Sequence, residues 1–209
     1  MIDNLYAAFL GYILGAIPFA YLLVKIISGK DIRKEGSGNV GARNSIDSSG
    51  KKWIGALVLI LDLLKAILAM KLSEYFFDGN MFLISMTGVF VILGHNYNVF
   101  LRFSGGRGLA SAAGVSLAVN PLAVILWLLM YFTSLKIIHK NVHIASVVAS
   151  ITMPLLILGA PDFVILETQT MAFENATDFK VLAVAVCLVI ILKHIAPIIE
   201  FLKENETEE

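Results

Sequence analysis

The chain has 209 residues, and its 16 Lys+Arg balance 16 Asp+Glu, so it lacks the basic excess of a nucleic-acid binder. Hydrophobic residues make up 58% and charged residues 15%, against roughly 45–50% and about 25% in soluble domains. With a mean hydropathy of +0.82, an ordinary soluble fold is excluded and an all-α, polytopic integral membrane protein is expected. The lone cysteine, Cys187, excludes disulfides and cysteine-based metal sites.

A membrane helix needs about 20 mostly apolar residues, and the first such stretch runs from about 5 to 27. No basic n-region precedes it, so it is read as a retained span rather than a signal peptide. A basic loop, 28–52, follows and contains Gly36-Ser37-Gly38-Asn39-Val40-Gly41-Ala42-Arg43-Asn44. Glycines let backbone N–H groups converge on an anion, while Ser, Asn and Arg add donors of different reach. The plain alternative is a flexible linker. The second span, about 53–73, carries Asp62 and Lys65 three residues apart on one face, where they can pair.

After the third span, about 81–96, the chain reads Gly94-His95-Asn96-Tyr97-Asn98-Val99-Phe100-Leu101-Arg102-Phe103-Ser104-Gly105-Gly106-Arg107-Gly108. A glycine turn opening a helix presents unpaired N–H groups and the positive end of the helix dipole, with Arg107 as countercharge. The apolar region 109–138 is interrupted by Asn120-Pro121, which predicts a short helix over 109–118 and a span over 122–138. Spans at about 143–160 and 179–193 complete a set of seven, or six if 109–138 is one kinked helix. His194 then stands at the end of the last span, and residues 201–209 form a short polar tail on an otherwise single domain, 1–209.

In the seven-span arrangement thirteen of the sixteen Lys and Arg fall on one side, in 25–52, 97–108, 136–143 and the C-terminal end. The positive-inside rule places that side in the cytoplasm, with the N-terminus outside and the C-terminus cytoplasmic. His139 and His143 have i,i+4 spacing but no carboxylate between them, so they are read as solvated interface residues and no metal site is expected.

Four motifs occur in order: Gly36-Ser37-Gly38-Asn39-Val40-Gly41-Ala42-x-Asn44, Leu61-Asp62-x-Leu64-Lys65, Gly94-His95 through Phe100-Leu101, and Gly105-Gly106-x-Gly108. Together they resemble the bacterial acyl-phosphate:glycerol-3-phosphate acyltransferases, the PlsY family. The resemblance runs from about residue 5 to residue 206, and this chain looks like a divergent member. It implies transfer of a fatty acyl group from acyl phosphate to the 1-hydroxyl of glycerol 3-phosphate, giving lysophosphatidate for phospholipid biosynthesis. The implied setting is the bacterial plasma (inner) membrane, with the site facing the cytoplasm, membrane lipid around it and no cofactor.

Carried over by resemblance, Ser37 is the expected essential hydroxyl, and Gly38, Asn39 and Asn44 shape its loop and bind substrate. Gly105, Gly106 and Gly108 are the expected glycerol-phosphate cradle, with His95 leading into it and Arg107 where the family has Lys. His194 matches the third motif and is taken with Ser37 and Arg43 as catalytic, and Ser146 falls where the family carries a serine. Three departures stand in the motifs: Asp47 where the family has Arg, for which Arg43 is the expected stand-in, Asn98 where it has Pro, and Pro197 where it has Asn. They keep open a second reading, a non-catalytic or altered-substrate descendant that binds glycerol phosphate or lipid.

Overall fold

In hydrocarbon each backbone N–H and C=O has to be satisfied within the chain, which leaves helices as the economical solution for long apolar runs. The computed structural model describes residues 1–137 and 141–206, with side chains through residue 203, and among these there is no β-strand. His139 and the last three residues of the expected tail lie outside the described residues. The chain divides into two compact units, Met1–Ala118 and Val119–Glu209. Five stretches among the described residues are long and apolar enough to cross a membrane: Ile2–Ser28, Lys52–Phe76, Met81–Leu101, Val142–Gly159 and Ala176–Lys203.

The first unit contains α1 (Ile2–Gly15), α2 (Phe19–Ser28), α3 (Ala42–Ser49), α4 (Lys52–Phe76), α5 (Met81–Asn96) and the body of α6 (Leu109–Val119). The span expected as one helix over 5–27 is broken between α1 and α2. Pro18 supplies no N–H and disfavours helical backbone at Ile17, so the ladder stops there and restarts at Phe19. The polar loop 28–52 also contains a helix, α3, which no apolar stripe announces.

Close backbone approach holds α1 to α5. A Cβ at Gly11 would collide with the Thr87 carbonyl, one at Gly15 with the Val91 carbonyl, and one at Gly94 with the Tyr12 carbonyl. Small residues at such crossings are the usual means of packing helices where the solvent is as apolar as leucine. Thr87 is the polar fastening there, since its Oγ1 donates to the Ala7 carbonyl at 3.2 Å and lies 2.9 Å from Ser73 Oγ. In the same way Gly114 brings α6 down on the Leu63 carbonyl of α4.

The second unit comprises α7 (Leu122–Ile137), α8 (Val142–Gly159), α9 (Asp162–Glu167) and α10 (Ala176–Glu206). The separation of α6 from α7 at Asn120-Pro121 follows the sequence expectation. Asn120 is fully buried, accepts from the Leu122 N–H at 3.0 Å and donates to the Ile165 carbonyl at 2.9 Å. Trp127 Nε1 donates to Ser150 Oγ at 3.0 Å, joining α7 to α8. The last helix does not stop at His194. It continues through Pro197 to Glu206, and Ile195 before the proline, with Ile198, Ile199 and Leu202 beyond it, keeps the run apolar.

Large apolar side chains remain exposed on the spans, among them Leu59, Ile60, Leu64 and Leu68 on α4, Leu155, Leu156 and Leu158 on α8, and Val181, Leu188 and Leu192 on α10. Such stripes are the lipid-facing surfaces of an integral membrane protein, and the fold is all-α and polytopic.

Candidate functional site at the glycine-rich turns

Asn44, at the start of α3, is 1% exposed and organises the loop before it. The two N–H donors of its Nδ2 face the carbonyls of Ile32, Glu35 and Asn39, each at 3.0 Å, so that one N–H is shared, and its Oδ1 accepts from the Ser37 N–H at 3.2 Å. Gly36 (φ +51°) and Gly38 (φ +68°) flank Ser37 in left-handed backbone that L side chains avoid. Ser37 is thereby raised on an exposed bend. Ile32 and Val40, at the two ends of the loop, are pinned in an apolar cluster with Ala20, Val24, Ile54, Val58 and Leu101.

Asp31 fastens the near end. It accepts from the Arg33 N–H at 3.1 Å, from Arg33 Nε at 2.9 Å and from a terminal Arg33 nitrogen at 2.7 Å. The Arg33 side-chain hydrogen bonds hold the Asp31 carboxyl down at about 2, against an ordinary 3.8. Arg43, by contrast, is exposed and reaches Asp47 one turn along α3 at 3.5 Å.

The second glycine turn sits on the end of α5. The Gly106 N–H donates to the His95 carbonyl at 3.1 Å, and a Cβ at Gly105 would collide with the carbonyls of His95 and Asn96. A Cβ at Gly106 would collide with His95 Nε2 and stand 2.7 Å from the Val40 carbonyl oxygen. Gly106 is therefore where the two glycine-rich segments and His95 converge. Gly108, at φ +82°, turns the chain into α6 over the Asn96 side chain, and Arg107 is half-buried between the two glycines. Asn98, read from the resemblance as a departure from the motif, is buried. It donates to the Ala16 carbonyl at 2.7 Å and caps the short turn Val99–Leu101 through the Phe100 N–H at 3.0 Å.

Below this turn lies a buried charged cluster. Lys65 Nζ is 2.7 Å from Asp62 Oδ1, 3.0 Å from the Ile17 carbonyl at the α1–α2 break, and 3.1 Å from His95 Nδ1. Asp62, His95 and Asn98 line a cavity of about 10 Å³ with Ile17, Pro18, Phe19, Ala20 and Val40.

The second unit holds the remaining candidates. His194 is 1% exposed, its Nδ1 lies 2.9 Å from the Ile190 carbonyl one turn back, and its ring centroid is 5.6 Å from that of His143. Ser146 is buried one turn along α8 from His143, and its Oγ donates to the Val142 carbonyl at 2.7 Å. The solvated role expected for His143 is thus corrected: it is half-buried against His194.

Ser37, Gly38, Asn39, Asn44, His95 and Gly105 to Gly108 all lie in the first unit, where Val40 and His95 meet Gly106, and Arg43 is exposed on α3. It places Ser146 and His194 in the second unit. Sequence reasoning saw the Asp62 and Lys65 pair but missed its link to His95. Thirty residues separate Lys65 from His95, and no periodicity connects them.

Among the described residues the chain is helical, with buried ionic groups beside two convergent glycine-rich turns, which defines a class: integral membrane proteins with a cradle able to hold an anion. A family model described as glycerol-3-phosphate acyltransferase matches residues 5–204. Among curated proteins, the glycerol-3-phosphate acyltransferase of Thermosipho melanesiensis is 35% identical over 98% of this chain and 92% of its own length. That of a Wolbachia from Brugia malayi is 34% identical over 94% of each. The crystal structure of PlsY (YgiH), an integral membrane glycerol 3-phosphate acyltransferase in its glycerol 3-phosphate form, superposes with a TM-score of 0.77 at 30% identity. It covers 96% of this chain and 92% of the other. The chain belongs to the glycerol-3-phosphate acyltransferase family.

Proposed function

We propose that this chain transfers a fatty acyl group from acyl phosphate to the 1-hydroxyl of glycerol 3-phosphate at the cytoplasmic face of the bacterial plasma membrane, giving lysophosphatidate. The observation that carries the reading is the convergence at Gly106 of the Val40 backbone, the His95 ring and the second glycine turn. Solved forms of the PlsY neighbour with glycerol 3-phosphate and with lysophosphatidic acid support the substrate and the product.

The chemistry asks for positioning more than for a strong nucleophile. Acyl phosphate is a mixed anhydride, so the glycerol hydroxyl oxygen attacks the acyl carbon, the carbon–oxygen bond to phosphate breaks, and inorganic phosphate leaves. A substrate phosphate, with a second pKa of about 6, takes the hydroxyl proton. Ser37, Gly38, Asn39 and Arg43 orient the acyl donor, while Gly105, Arg107 and Gly108 hold glycerol 3-phosphate through backbone N–H groups and one guanidinium, and Gly106, whose own N–H is bonded to the His95 carbonyl, keeps the cradle clear of a side chain. His95 stands at that cradle, and Asn44 keeps the first loop in shape. The roles given to His194 and Ser146 rest on the resemblance alone, and neither metal nor organic cofactor enters the scheme.

The test is direct: purified protein in lipid or detergent receives palmitoyl phosphate and glycerol 3-phosphate, and lysophosphatidate is measured. Formation of the product with release of inorganic phosphate is expected. Saturable binding of glycerol 3-phosphate without turnover would overturn the reading in favour of a non-catalytic descendant, to which Asp47 and Pro197 point.

A further inference from the structure

An ammonium group has three N–H donors and accepts nothing. Around Lys65 Nζ stand three acceptors: Asp62 Oδ1 at 2.7 Å, the Ile17 carbonyl at 3.0 Å and His95 Nδ1 at 3.1 Å. Asp62, Lys65 and His95 are all buried, at 3%, 4% and 7% exposure, so an unmet donor there would be costly. All three donors are met when His95 Nδ1 accepts from the ammonium at 3.1 Å, a closer contact than the 3.5 Å from Nδ1 to Asp62 Oδ1, where a protonated Nδ1 would donate instead. In a neutral imidazole the proton then sits on Nε2, at the edge of the ring that faces Gly106 and the Val40 carbonyl.

We propose that Asp62 and Lys65 are positioning residues, which hold His95 as the Nε2–H tautomer and deliver that single donor to the convergence of the two glycine-rich turns. Asp62 and the Ile17 carbonyl fix the ammonium, and the ammonium fixes the ring. The break between α1 and α2 belongs to the same device, because it is there that the Ile17 carbonyl meets Lys65. A donor N–H at this point favours a substrate anion held by the Gly105-Gly106 turn, a consequence that rests on the acyltransfer reading. With the proton on Nδ1 the same edge would present a lone pair and repel that anion.

Two measurements test this. In the unmodified protein carrying nitrogen-labelled histidine, with His95 assigned by its loss in His95→Gln, the spectrum should show an unprotonated Nδ1 and a protonated Nε2. A protonated Nδ1 overturns the proposal, and this arm is independent of any turnover, so it stands or falls apart from the acyltransfer reading. The second arm uses Asp62→Asn combined with Lys65→Met, which removes both charges together and avoids leaving one buried alone. In folded double variant the Nε2–H preference should be lost, and KM for glycerol 3-phosphate should rise about tenfold while KM for acyl phosphate changes far less. Unchanged tautomer with unchanged KM, or equal losses for both substrates, would make the pair merely structural and overturn the proposal. If the double variant does not fold, Lys65→Arg is read in its place. Its planar fork cannot reproduce three divergent donors, so the same KM split is expected, and its absence overturns the proposal equally.

Discussion

At the scale of single residues, Asn44 and Gly106 illustrate opposite uses of space. The Asn44 amide serves three carbonyls and one N–H, so Asn44→Ala should destabilise the protein by about 1–3 kcal/mol through groups left unsatisfied. Asn44→Asp should be worse, because it turns a donor into an acceptor facing three carbonyl oxygens. Thermal unfolding in detergent checks both, and an Asp variant more stable than the Ala variant would contradict the hub assignment. Gly106 is the reverse case, where any side chain meets the His95 ring and the Val40 carbonyl. Gly106→Ala should raise KM for glycerol 3-phosphate well above any change in KM for acyl phosphate. Arg43 stands apart, being exposed and paired with Asp47. Such surface pairs contribute about 0–1 kcal/mol, so Arg43→Ala should stay folded. It should nonetheless lose about ten- to a hundredfold in kcat/KM, the worth of a charge-assisted contact of roughly 1.5–3 kcal/mol. Arg43→Lys should recover part of that loss, and Asp47→Arg, one helical turn away, should rescue Arg43→Ala.

At the scale of elements, what could be read in the sequence was what apolarity alone decides. Spans near 53–73, 81–96 and 143–160 appear as α4, α5 and α8, because each is a long greasy run with a turn at either end. The break before Phe19 escaped, since composition registers the apolar length of 5–27 and not the N–H that Pro18 withholds. α3 escaped because Ala42–Ser49 is polar and held by the Asn44 hydrogen bonds rather than by an apolar stripe. The residue types of the site were legible as glycines, amides and bases, whereas their tasks were not: that Lys65 reaches His95, or that His143 packs on His194, depends on distance in space. The turn Ile32–Lys34 gives a pH test at this scale. Its Asp31 has a folded value of about 2, below the ordinary 3.8, so the stabilisation it lends is complete above the higher value and disappears as pH falls through the lower. The stability difference between the unmodified protein and Asp31→Asn should therefore be constant above pH 3.8 and shrink towards pH 2. A difference that persisted below that range would show that Arg33 does not hold the carboxylate.

For the whole molecule, orientation decides which compartment the glycine-rich turns meet. Thirteen of sixteen Lys and Arg lie on one side of the seven-span arrangement, seven of them between Lys25 and Lys52. Moving that loop to the outer face would oppose the charge bias that sets orientation. Acyl phosphate and glycerol 3-phosphate are anions that cross hydrocarbon poorly, so an acyltransfer site for them has to open on the compartment that supplies them. On the proposed acyltransfer reading, both arguments predict residues 36–44 and 94–108 on the cytoplasmic side. Cys187, the chain's one cysteine, is 1% exposed, which gives a low background for thiol labelling. Ser49→Cys, at the end of α3 and beside the Asn44 loop, should then resist a membrane-impermeant maleimide in intact cells and react once the membrane is opened. A cysteine placed at Asp78, in the turn between α4 and α5 at the opposite end of α4, should show the reverse pattern. Labelling of Ser49→Cys from outside intact cells would overturn the orientation, and with it a cytoplasmic acyltransfer site.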